Sequence, residues 1–94
     1  MITVYHNKSF LKLQFKTPDE LPKDCLEKVA EIASNDLDNA FELTNHIDHD
    51  WTENEGVTPL VSKPRSTSVG DVMEIEGKFL LVDSYGFKEI KIIE

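Results

Sequence analysis

The stretch from Ser66 to Ile90 (STSVGDVMEIEGKFLLVDSYGFKEI) constrains this chain most, because it reads as short apolar runs separated by tight turn signals. Val69-Gly70-Asp71 is a turn feeding Val72, Met73 and Ile75. Glu76-Gly77 then interrupts, and Phe79 to Val82 resumes an apolar run of strand length. The Glu76-Gly77 pair suits a two-residue hairpin connection, since Gly accepts the positive φ that such turns demand. Asp83-Ser84-Tyr85-Gly86 is a second turn. Beyond it, Phe87, Ile90 and Ile92 alternate imperfectly with Lys88, Glu89 and Lys91 up to Ile93. These spacings predict a three-stranded meander.

Upstream, Ile2 to His6 and Phe10 to Phe15 read as two strands joined by a turn at Asn7-Lys8-Ser9. In the second, Leu11, Leu13 and Phe15 alternate with Lys12 and Gln14. Thr17 to Asp24 contains Pro18 and Pro22 and reads as a loop. Leu26 to Ala33 is ambiguous: Val29, Ile32 and Ala33 suit a helix, yet the run also suits an irregular strand. A strand is favoured, because Ser34-Asn35-Asp36 resembles a helix N-cap and two helices would have almost no connector. From Asp36 to about Ile47 the spacing predicts a helix with Leu37, Ala40, Phe41, Thr44 and Ile47 on one face and Asp38, Glu42, Asn45 and His46 on the other. The expected fold is α+β in a single domain over residues 1–94. A small mixed or antiparallel sheet would carry one main helix packed on one face and the C-terminal meander. A curled half-barrel is the alternative arrangement.

Ninety-four residues suffice for one core but not for a cleft between two domains. No apolar run is long enough to span a bilayer, and the opening Met-Ile-Thr-Val-Tyr-His-Asn reads as a strand instead of a signal sequence, so a cytoplasmic protein is expected. Cys25 is the one cysteine, which precludes an intrachain disulfide and leaves any zinc site dependent on histidines and carboxylates. Charge is unevenly placed. Residues 1–16 carry Lys8, Lys12 and Lys16 and no acid, residues 17–58 carry twelve acids against Lys23 and Lys28, and the remainder is nearly balanced, for a net charge of −8. Such a domain repels phosphate backbones unless Lys8, Lys12, Lys16, Lys63 and Arg65 gather on one face. A basic partner is easier to accommodate.

His46-Ile47-Asp48-His49-Asp50-Trp51 is the densest group of residues able to carry chemistry. Imidazoles and carboxylates could bind a transition metal, with His46, Asp48 and His49 as ligands. The spacing matches no familiar zinc helix motif, however, and residues leaving a helix for a loop project in several directions. No serine or cysteine sits in an elbow-like turn for a nucleophilic triad. Neither a cofactor nor catalysis is therefore expected. Trp51 opens a long link through Pro59 and Pro64 and is expected to tie that link to the core, with an exposed contact role as the alternative. Arg65-Ser66-Thr67-Ser68 ends the link, where its hydroxyls satisfy turn backbone or, with Arg65, form a small anion-binding concavity.

Arg65-Ser66-Thr67-Ser68-Val69-Gly70-Asp71-Val72, followed by a short strand, Gly77, an apolar strand and Gly86-Phe87-Lys88-Glu89-Ile90, resembles small bacterial, plasmid and phage proteins, including those with a YodL-like C-terminal domain. Ala40 to Asp48 and Trp51 to Asn54 resemble segments of the stand-alone proteins of that group. The resemblance covers roughly residues 35 to 92. It implies no activity and no catalytic residue. The function expected is that of a small non-enzymatic interaction or regulatory protein of bacteria or their mobile elements. It would meet a basic protein surface through an acidic helix face, with Asp38, Glu42, His46, Trp51 and Arg65 as candidate contacts. The alternatives are a nucleic-acid-associated accessory domain, a half-barrel like those of PUA type with Lys8, Lys12 and Arg65 on the phosphates, and a metal-dependent hydrolase using His46, Asp48 and His49.

Overall fold

The computed structural model describes residues 1–8, 20–46, 50–83 and 86–93. Seven strands, β1 (Ile2–Asn7), β2 (Glu20–Pro22), β3 (Leu26–Ile32), β4 (Val57–Pro59), β5 (Val72–Ile75), β6 (Lys78–Asp83) and β7 (Gly86–Ile93), form one sheet in the order β2-β7-β6-β5-β1-β3-β4. Every pairing is antiparallel except β2 with β7. The α-helix α1 (Leu37–Thr44) and 3-10 turns at Lys23–Cys25 and Trp51–Glu53 complete the described elements.

This architecture corrects the expected α+β arrangement. Strand accounts for 48% of the structure, and the sheet curls into a half-barrel instead of lying under one main helix. The reason is one of size. Eight helical residues extend only about 12 Å, whereas seven strands side by side span roughly 30 Å. A helix that short cannot cover such a face, and the twist inherent to strands lets the sheet enclose its own apolar side chains. The helix extends less far than its periodicity suggests. Asp36 caps its start by accepting from the backbone N–H groups of Asp38 and Asn39, but the last helical residue is Thr44, and Ile47 lies outside the described residues. Thr44 Oγ1 turns back on the Ala40 carbonyl at 2.9 Å, and the Asn45 side chain leaves the helix to donate to the Thr67 carbonyl.

Alternation along the strands divides the apolar residues between the two sides of the sheet. Ile2 and Val4 of β1, Met73 of β5 and Val82 of β6 join Val29, Ala30 and Ile32 of β3 in one cluster, against which Ala40 and Trp51 pack. Val72, Leu81 and Ile90 face the other way with Leu21, and Tyr5, Leu26, Phe79 and Ile92 pack against them. The hairpin between β5 and β6 turns on Glu76 (φ 50°) and Gly77 (φ 81°), the paired positive φ angles that suit a two-residue connection.

Two short strands depart from the expected loops. Residues 20–22 form β2, which runs parallel to β7 and buries Leu21, and residues 57–59 form β4 on the opposite edge. Both end in proline, which an edge strand tolerates because its missing N–H removes no bond from a central ladder. The strand expected over Phe10 to Phe15 lies outside the described residues.

Candidate functional site

From Val29 to Ser62 the chain contains eight acids and neither lysine nor arginine. Asp36, Asp38, Glu42, Asp50, Glu53 and Glu55 are all exposed. They sit on or beside α1 and the 3-10 turn at Trp51–Glu53, neighbouring elements stitched together where Asn54 Nδ2 donates to the Leu43 carbonyl at 2.8 Å. The helix turns Ala40 and Thr44 inward, so Asp38 and Glu42, one turn apart, project outward together. His46 follows the helix half-buried, while Asp48 and His49 lie outside the described residues. Among the described residues no three His, Cys, Asp or Glu side chains gather as metal ligands.

The acidic elements belong to a long connection from β3 to β5, and a buried polar knot fixes its far end. Asp71, with no exposed surface, is at the centre. Its carboxylate accepts from the Asn7 backbone N–H at 2.8 Å, from the Ser68 N–H at 2.8 Å, and from both terminal nitrogens of Arg65 at 2.7 Å each. Gly70, at φ 99°, bends the chain so that its carbonyl receives Asn7 Nδ2 at 3.1 Å. Thr67 completes the closure: its N–H donates to the Thr44 carbonyl at 2.9 Å and its hydroxyl lies 2.9 Å from His6 Nε2. Trp51 is 1% exposed, sets its ring against that of His6, and donates its indole N–H to the Arg65 carbonyl at 2.9 Å.

The structure thus separates the candidate residues suggested by the sequence. Asp38 and Glu42 share an exposed surface, whereas Trp51 and Arg65 hold that surface to the sheet from behind. The Arg65 concavity is occupied by the chain's own anion, Asp71, through two parallel hydrogen bonds of the strong charge-assisted kind. His6, Asn7 and Asp71 carry the knot and were not singled out by sequence. Their signal is slight: Asp71 reads as an ordinary turn residue, and its partners lie six positions away at Arg65 and 64 away at Asn7.

His6 makes the knot sensitive to acid. Burial lowers its pKa below the usual 6.5, and of the charges facing it Asp71 and Glu27 oppose that shift while Arg65 reinforces it. The unfolded chain therefore takes up a proton at His6 before the folded chain does. The stabilisation is complete above about pH 6.5 and declines as the pH falls from there towards the lowered folded value. Denaturant titrations on either side of that window should show a loss of stability on acidification that is smaller in His6→Gln. An equal acid loss in that variant would assign the effect to carboxylates elsewhere.

Compared with family models, curated proteins and solved structures, the chain matches none of them. Among the described residues no helix is long and apolar enough to cross a membrane.

Proposed function

We propose that this chain is a small non-enzymatic interaction protein that presents α1 and the Trp51–Glu53 turn to a basic protein surface. The observation that carries this reading is the 34-residue run, Val29 to Ser62, with eight acids and no lysine or arginine, six of whose seven described acids are exposed on or beside adjoining elements. A solvated surface needs charge, but it is ordinarily served by interspersed signs. A single-signed surface steers encounter with an oppositely charged partner and opposes wrong ones. The resemblance of residues 35 to 92 supplies the setting, bacteria or their mobile elements.

The test is charge reversal at Asp38 and Glu42. Both side chains are exposed, so the double Lys variant should keep its stability within about 0.5 kcal/mol. Binding to a basic partner recovered from cells should fall by an order of magnitude or more, chiefly through slower association, and added salt should narrow the difference. A folded double variant that binds the partner as tightly as the parent rules out this surface.

A further inference from the structure

On the side of the sheet away from α1, the half-barrel opens into a groove of about 880 Å³. Its floor is apolar, made by Leu26, Ile90 and Ile92 together with the rings of Tyr5 and Phe79. The two ring centroids lie 5.9 Å apart with their planes inclined at 51°, and Lys28 Nζ stands over the Tyr5 ring at 6.0 Å from its centre, which sets a cation beside an aromatic face. Lys23, Lys28, Lys78 and Lys91 border the groove against two carboxylates, Glu74 and Glu89. Four lysines against two glutamates leave a local charge of +2 in a chain whose total is −8. Glu74 also accepts the Tyr5 hydroxyl at 3.0 Å. Burial, with help from that carboxylate, pushes the phenol up to about 12, so the ring stays neutral at any physiological pH.

We infer that this groove takes a segment of single-stranded nucleic acid, its bases stacking on Tyr5 and Phe79 and its phosphates meeting the lysines. Apolar floor and cationic border together select a ligand with flat apolar faces and regularly spaced negative charge, and an unpaired strand offers both. A duplex keeps its base faces inside the stack and offers only phosphates. The acidic surface does not forbid the approach. It packs on the other side of the sheet, the smallest dimension of the fold is 25 Å, and charges are screened over about 8 Å at physiological salt. Neither Asp38 nor Glu42 lines the groove, so this site and the protein-binding surface stand or fall separately.

The experiment titrates the full chain into a short fluorescently labelled oligouridylate and follows anisotropy, with backbone amide shifts recorded on the same protein. Saturable binding should displace the amides of Tyr5, Phe79 and Ile92 and weaken with salt at a logarithmic slope of about −2 if some three phosphates are neutralised. Lys78→Glu with Lys91→Glu, both at exposed positions, should weaken binding at least tenfold without altering the unfolding transition. Phe79→Leu, which keeps an apolar side chain but removes the ring, should lose about tenfold through stacking alone. Several outcomes overturn the proposal: no binding at near-millimolar protein, amide shifts confined to other elements, or indifference to the lysine reversals. So does uridine monophosphate binding as tightly as the oligomer, or a duplex or an acidic peptide with apolar side chains binding more tightly than the single strand.

Discussion

Asp71→Ala is expected to cost about 2–4 kcal/mol in a denaturant titration, because it strips the buried Asn7 N–H and the part-buried Ser68 N–H of their acceptor and takes the carboxylate from Arg65, whose side chain is 35% exposed. Against a total stability of about 5–15 kcal/mol for a domain of ordinary stability, that removes a large part of the margin at the lower end of the range and shifts the unfolding midpoint clearly at the upper end. The more informative comparison is with the double variant Arg65→Met, Asp71→Ala. Deleting both partners of a buried pair is often close to neutral, since no charge is then stranded. Here the carboxylate also receives the backbone N–H groups of Asn7 and Ser68, and the double variant leaves both without that acceptor. An unmet buried donor such as the Asn7 N–H costs about 1–3 kcal/mol, so the double variant should remain below the parent. Recovery of parental stability would show that the knot is only an ion pair and that its backbone bonds contribute nothing.

That distinction bears on how the acidic surface is held. A run with so much charge of one sign repels itself, and α1 at eight residues is shorter than isolated helices that persist in water. What fixes it is a small set of anchors outside the helix. Asn45 and Asn54 tie its C-terminal end to neighbouring backbone, Thr67 closes on Thr44, and the pairing of β4 with β3 returns the link to the sheet. These anchors are neutral. Their hydrogen bonds do not depend on the charge that the surface presents, so Asp38 and Glu42 can vary with little effect on the scaffold.

What the sequence revealed follows the range of the forces concerned. The β5 to β6 turn was legible because Glu76-Gly77 must adopt positive φ between two apolar runs, a local demand. The strand at Leu26 to Ile32 was legible only indirectly, through the Asp36 cap that left no room for a second helix. Apolar spacing continues past Thr44 and points to a longer α1, whereas Asn45 and Thr67 end the helix through a contact 22 residues apart. β2 and β4, three residues each, are too short to show any period, and prolines made both look like loop. The overall architecture failed for the same reason. Whether a sheet is covered by a helix or curls on itself depends on the relative sizes of elements, which local apolar spacing does not fix. At the site, exposed acids are visible in a sequence as a run of one sign. A buried knot drawn from Asn7, Arg65 and Asp71 is not, because only folding brings its members together.

Trp51→Ala should also cost about 3–5 kcal/mol, the range for emptying the volume of a large buried aromatic. The ring is 1% exposed and packs in the larger apolar cluster beside Ile2, Val4 and Met73. Trp51→Phe separates two contributions. Phenylalanine restores most of the apolar volume but cannot donate to the part-buried Arg65 carbonyl, so this variant should lose only about 1–2 kcal/mol, from the hydrogen bond and the residual cavity. The loss should also be uneven across the molecule. Native-state hydrogen exchange should show the greatest loss of protection at Asn54, Val57 and Thr67, whose amides bond within the link or to α1, while the central β1 to β5 pairing should change least. In that case Trp51 is the clamp that holds the acidic elements against the half-barrel, and weakening it should reduce binding to a basic partner even in protein that is still folded. Uniform loss of protection would instead make Trp51 an ordinary core residue of one cooperative unit, and binding by Trp51→Phe should then follow its folded fraction alone.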